Sequence, residues 1–154
     1  MHAFCARRVG HAIADDATSE AFVTAWRRLE DAEAPFERAW LFGIARNVIR
    51  NTWRSSLRAS RTVEKIGSLR GTSPGQPDEL ASTWVDSTAR RSLRRLSHRD
   101  QEILMLSAWD GLTGEEIATV LGIAPNAVHQ RLHRAKKRLA AQMSEIATAD
   151  EGGV

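Results

Sequence analysis

The stretch TGEEIATVLGIAPNAVHQRLHRAKKRL, residues 113–139, leaves the chain few ways to fold. Thr113 followed by Glu116 forms a capping box: the hydroxyl accepts from an orphan amide, the carboxylate accepts from the cap's own N–H, and a helix starts. Ile117, Ala118 and Leu121 fall on one side of that helix. Gly122 follows, a residue that turns left-handed without steric penalty, and the helix stops. Ile123 and Ala124 make the connection. Pro125 suits the first position of a second helix because its missing N–H would have no partner there. Val128, Leu132, Ala135 and Leu139 face inward on that helix, and His129, Gln130, Arg131, His133, Arg134, Lys136, Lys137 and Arg138 occupy its other faces.

Two helices about a glycine turn, the second of them basic, make a helix-turn-helix whose second member fits a DNA major groove. The competing reading is a helical hairpin with a solvated basic face. Capping box, turn glycine, small inner alanine and polar outer face agree with one another, which favours DNA. His129 and His133 stand four apart, as in the zinc-protease pattern H-E-x-x-H. Gln130 holds the glutamate's place and no third ligand is placed, so an enzyme built on these histidines is disfavoured.

At 154 residues the chain is one ordinary domain or two small ones, with 42% hydrophobic residues to build cores. No apolar run approaches membrane-spanning length and the first residues lack a secretory pattern, so a soluble cytoplasmic protein without membrane insertion is expected. The single cysteine, Cys5, excludes an internal disulfide and a cysteine-based metal cage; it reads as a small buried apolar residue. No metal or other cofactor is expected. The formal charge is only +3, but acidic residues gather in 15–37 while basic ones gather in 46–70, 90–95 and 131–138. That separation predicts one surface for a polyanion and another for a basic protein partner.

Residues 4–9 read as a helix without a cap. In the next helix, Asp15 and Asp16 are expected to favour the N-terminus through the macrodipole, and Ala21, Phe22, Ala25, Trp26 and Leu29 form an apolar stripe. Residues 30–37 make an acidic loop interrupted by Pro35. Residues 40–53 form a third helix with Trp40, Leu41, Ile44, Ala45, Val48 and Ile49 inward, continued by a frayed stretch over 54–66. Arg46, Arg50 and Arg54 recur every four residues along one exposed edge, beside Asn47 and Asn51; the spacing fits a phosphate track and a soluble face equally. Residues 67–78, GSLRGTSPGQPD, have the composition of a flexible linker. A helix over 80–96 offers Leu80, Trp84, Leu93 and Leu96 to a core, and Ser97 with Asp100 predicts a second capping box, opening a helix that closes near Gly111. The tail after Met143 is expected to fray. The fold class is therefore all-α: two small helical bundles joined by a flexible linker, the second containing the helix-turn-helix.

The runs DDATSEAFVTAWRRL, APFERAWLFGIARNVIRN, a Gly/Pro linker and LRRLSHRDQEILMLSAWDGLTGEEIATVLGIAPNAVHQRLHRAKKRL, in that order, resemble the extracytoplasmic-function sigma factors of bacteria. The resemblance covers nearly the whole chain. It implies a region 2 domain over 1–66 that binds core RNA polymerase and recognises and melts the -10 element, a linker over 67–79, a region 4 domain over 80–146 that reads the -35 element, and a tail over 147–154. It implies polymerase contacts from Asp15, Asp16 and Glu20, with Phe22 and Trp26 on the same helix mainly holding the core. Phe36 and the track Arg46, Asn47, Arg50 and Arg54 would meet the -10 element, although the loop before them lacks the family's usual Phe-Arg-Gly. His129, Gln130, Arg131, His133 and Arg134 match positions facing the -35 duplex, with Lys137 and Arg138 on phosphates. The implied partners are core RNA polymerase, promoter DNA and an anti-sigma factor, with no chemistry catalysed by the chain itself. The family has a further helix and a half before the first residues matched, so the natural protein is expected to be about thirty residues longer. A helix-turn-helix regulator without polymerase docking is the alternative, and it leaves the first domain unexplained.

Overall fold

The computed structural model of the protein describes residues 1–32, 36–64 and 88–151. These residues form seven α-helices and one short 3-10 turn, with no strand among them, so the all-α expectation holds. They belong to two compact units, Met1–Ser82 and Thr83–Val154. The expected linker over 67–78, the positions of Leu80 and Trp84, and residues 33–35 of the acidic loop lie outside the described residues.

In the first unit, α1 (His2–Val9) runs directly into α2 (His11–Arg27) through Gly10, whose φ of 79° is a backbone conformation that a side chain would strain. After a 3-10 turn over Leu29–Asp31, pinned by an Arg28 Nε to Asp31 Oδ2 bond of 2.8 Å, α3 (Glu37–Glu64) continues as one helix through the segment expected to fray. Phe4 and the fully buried Cys5 enter the core from α1. Phe4 meets Phe42 edge-on at 4.8 Å, and the Arg8 guanidinium lies 3.7 Å over the Phe4 ring while donating to the Phe4 carbonyl.

The apolar face of α2 is only partly the one expected, since Ala21 and Ala25 of the expected stripe are buried but its large side chains are not. Ala14, Ala17, Ala21 and Ala25, at intervals of three and four, are buried to 7% exposure or less, whereas Phe22, Trp26 and Leu29 are 50%, 79% and 58% exposed. Phe22 and Trp26 therefore do not hold the core. Four alanines let α2 lie close against its neighbours, and a side chain as long as Phe or Trp on that stripe would force the helices apart. The macrodipole expectation also fails: α2 begins at His11, with no acidic residue in its first turn, so Asp15 and Asp16 sit where the dipole's effect has faded. On α3, Ala39, Ile44, Ala45, Val48 and Ile49 are buried, while Trp40 and Leu41 are only half-buried rather than fully inward.

The second unit contains α4 (Thr88–Arg94), α5 (His98–Ala108), α6 (Gly114–Leu121) and α7 (Pro125–Glu151). Gln101 closes the α4–α5 turn by donating to the Leu96 carbonyl at 2.8 Å. Thr113 and Glu116 form the full capping box, with bonds of 2.8 and 3.2 Å, an arrangement typically contributing about 0.5–2 kcal/mol. Gly122 takes the left-handed conformation (φ 64°, ψ 41°) and Pro125 opens α7, as expected. Ser97 and Asp100 make only half of the second box. The Ser97 hydroxyl accepts from the Asp100 N–H at 3.3 Å, but the Asp100 carboxylate takes Arg138 instead.

Ile103, Leu106, Ile117 and Val128 are at most 1% exposed and form the centre of this unit. The tail departs from expectation, because α7 runs on to Glu151 rather than fraying after Met143. Ile146, 3% exposed, continues the inward line of Val128 and Ala135, so burial of one large side chain extends the helix past the point where the apolar pattern thins.

Candidate nucleic-acid interface

The second helix of the helix-turn-helix is α7, and all seven of its expected DNA-facing residues are exposed. They divide by helical spacing. Gln130, His133, Arg134 and Lys137 lie opposite the buried line of Val128 and Ala135. Arg134 Nε donates to the Gln130 carbonyl at 3.2 Å, which lays its guanidinium along the helix surface toward the N-terminal end of α7. A planar fork held there can pair bidentately with a guanine edge, and Gln130 can do the same with adenine.

Three of the seven stand aside from that ridge, Arg131 being exposed on the same flank as Arg138. The His129 ring rests against the start of α6, where a Cβ on Gly114 would come within 3.5 Å of its Cε1 and Nε2. On the opposite flank, Arg138 Nη1 lies 2.7 Å from Asp100 Oδ2, tying α7 to the first turn of α5. Arg138, expected to meet a phosphate, is held by an intramolecular carboxylate. Asp100 is the partner that sequence reasoning missed, and no local signal marks a pair 38 residues apart.

The ion pair is lopsided, with the Asp100 side chain 12% exposed and that of Arg138 57%. Arg138→Ala strands a buried carboxylate and is expected to cost about 2–3 kcal/mol, whereas Asp100→Ala leaves a guanidinium that can reach water and is expected to cost about 1–2 kcal/mol. Urea unfolding of the two variants checks this; an equal or reversed order contradicts it.

In the first unit, Asn47, Arg50 and Arg54 are exposed along α3, and Arg46 is half-buried and engaged within the protein. Phe36 is half-buried immediately before α3, and its carbonyl accepts the Trp40 N–H at 2.8 Å. A second surface lies on α2. There Asp15, Asp16 and Glu20 are exposed beside Phe22, Trp26 and the 49%-exposed Val23; His2 Nε2 lies 3.1 Å from Asp15 Oδ1. Large apolar groups fringed by carboxylates suit a protein partner with a basic, partly apolar surface.

Among the described residues, no group of three or more His, Cys, Asp or Glu side chains could hold a metal ion, and no helix is long and apolar enough to cross a membrane.

Residues 1–59 match the sigma-70 region 2 family and residues 88–139 match sigma-70, region 4. The RNA polymerase sigma factor CnrH of Cupriavidus metallidurans is 32% identical over 139 residues, covering 82% of this chain and 71% of CnrH. In a solved structure with the cytosolic domain of CnrY, CnrH matches this fold with a TM-score of 0.59 over 94% of this chain and 77% of its own, at 27% identity. The ECF RNA polymerase sigma factor SigL of Mycobacterium tuberculosis is 33% identical over 139 residues, covering 86% of this chain and 76% of SigL. The sigma factor RpoE of Bartonella quintana, solved with the anti-sigma factor NepR, shares the fold with a TM-score of 0.67 over 93% of this chain and 89% of its own, at 23% identity.

Proposed function

The chain belongs to the extracytoplasmic-function group of RNA polymerase sigma factors, and from that premise we propose how its surfaces divide the work of directing core polymerase to promoters and helping to open the DNA. Residues 1–66 serve as region 2 and residues 80–146 as region 4, joined over 67–79, with 147–154 as the tail. The α2 surface of Asp15, Asp16, Glu20, Phe22 and Trp26 docks core polymerase. Phe36 and the α3 edge of Arg46, Asn47, Arg50 and Arg54 follow the unpaired strand of the -10 element, where cationic groups suit a single-stranded backbone. On the -35 duplex, Gln130, His133 and Arg134 read bases, while Arg131 and Lys137 meet phosphates. His129 and Arg138 act at the rim, the one against α6 and the other against α5.

The observation that best supports this division is one chain carrying both an exposed apolar-acidic helix face and a capped helix-turn-helix with a basic outer helix. Weak contacts borne by one chain add through effective concentration, so neither unit need bind tightly alone. Bond-making is left to polymerase, which places the protein in the cytoplasm with the DNA. An anti-sigma factor that covers the polymerase-facing surface is the expected regulator.

Base reading and phosphate contact separate experimentally. Arg134→Ala is expected to lose about 1–3 kcal/mol of discrimination at one promoter base. Lys137→Ala is expected to weaken binding to all duplexes alike and to reduce the salt slope by about one. Holoenzyme binding to a set of singly substituted -35 duplexes at several salt concentrations checks both. A uniform loss for Arg134→Ala contradicts its assignment.

A further inference from the structure

The corner between α4 and α5 reads RRSLRRLSHR over 90–99, five arginines and a histidine with no acid among them. α4 ends at Arg94 and α5 begins at His98, so Arg95, Leu96 and Ser97 lie outside either helix. Arg94, Arg95, Ser97, His98 and Arg99 are exposed. Ser97 caps α5 by accepting the Asp100 N–H at 3.3 Å, a bond that does not use the hydroxyl's own proton. It also shares a surface cavity of about 480 Å³ with Arg95, Asp100 and Arg138. Ser92 is the internal contrast. Arginines precede it too, but it is fully buried and its hydroxyl donates to the Thr88 carbonyl at 2.7 Å.

We propose that Ser97 is the phosphoacceptor for a protein kinase that selects arginines two and three residues before its serine, and that the phosphoryl group draws Arg138 away from Asp100. Cations at those two places complement an acidic substrate groove, and Arg95 and Arg94 supply them. The Ser97 oxygen attacks the γ-phosphorus of ATP, its O–H proton passes to the kinase's base, the bond from the γ-phosphorus to the bridging oxygen breaks, and ADP leaves. The product carries about −1.5 to −2 charges and three acceptor oxygens. At the N-cap it meets the positive end of α5, and the cavity places it beside Arg95 and Arg138. The same position sets it against the Asp100 carboxylate. The Arg138 side chain is 57% exposed and can swing, so it moves to the stronger anion. The charge of the corner thereby falls by about two, from strongly basic toward neutral.

The test incubates the full chain with MgATP and the purified catalytic domain of a kinase of that selectivity. Peptide mass spectrometry is expected to place a single phosphoryl group on Ser97, with Ser92 unmodified. Arg94→Ala and Arg95→Ala are each expected to slow incorporation by about tenfold or more. Ser97→Asn keeps a capping side chain, so it is expected to melt as the wild type does while taking no phosphoryl group. No incorporation, incorporation elsewhere with Ser97 untouched, or undiminished rates in both arginine variants overturns the site. The transfer of Arg138 has its own readout. Asp100→Ala is expected to lower the melting temperature of the unmodified chain by several degrees, but to leave that of the phosphorylated chain unchanged or raise it, because the carboxylate there has become a like charge beside the phosphate. An equal fall in both forms overturns the transfer and leaves Arg138 on Asp100.

Discussion

Replacing Phe22 and Trp26 together with alanine is expected to lower affinity for core RNA polymerase by about a hundredfold or more, and to leave the thermal stability of the free chain nearly unchanged. The two halves of this expectation come from the same fact. Trp26 is 79% exposed and Phe22 50%, so truncation removes little buried surface from the free protein. A docked partner would bury both rings, and aromatic anchors inside a desolvated patch carry a disproportionate share of binding energy. The neighbouring carboxylates Asp15, Asp16 and Glu20 are expected to contribute less per residue and to act more on encounter rate, with a salt-dependent contribution. Titration of labelled chain with core polymerase, paired with a thermal melt, measures both quantities. Retained affinity contradicts the docking surface; a large drop in melting temperature would mean that the rings hold the core after all.

Ile117→Ala is expected to destabilise the second unit by about 2–5 kcal/mol. Ile117 is 1% exposed on α6, a helix that packs against both α5 and α7. Removing three carbons there leaves a void between packed helices that relax only partly. The functional consequence follows from geometry, since α6 sets the angle at which α7 presents Gln130, His133 and Arg134. Duplex binding should fall with stability, although Ile117 itself touches no DNA. Ile117→Val, which keeps most of the volume, should cost only about 0.5–1.5 kcal/mol and preserve binding. Urea unfolding followed by circular dichroism checks the series. A loss below 1 kcal/mol for the alanine variant would show that this contact is not central.

The helix-turn-helix was legible because each of its signals is settled by near neighbours. A hydroxyl and a carboxylate three residues apart cap a helix wherever it sits, and the conformations required at Gly122 and Pro125 belong to those residues themselves. The first unit was harder to read because two stripes of α2 share one period. Periodicity places Ala14, Ala17, Ala21 and Ala25 on one face and Phe22 and Trp26 on the next, but it cannot say which face meets the rest of the protein. The expected stripe took Ala21 and Ala25 together with Phe22, Trp26 and Leu29; close helix packing keeps only the small side chains inside. The 3-4-4 spacing of the alanines was the available signal.

Tertiary partners were out of reach for a different reason. Asp100 sits where a capping carboxylate belongs, and only the fold brings Arg138 to it from 38 residues away. The continuation of α7 turned on Ile146, whose inward position is a simple extension of the Val128 and Ala135 line but whose polar surroundings resemble a tail.

The central claim is that this protein brings polymerase to a promoter rather than merely binding DNA. Run-off transcription from a pool of promoter fragments, with core RNA polymerase and the full chain as the only added factors, tests it most directly. The account predicts transcripts that need the chain and start downstream of two shared, fixed-spaced sequence elements. Duplex binding with no transcript beyond that made by core polymerase alone would contradict it.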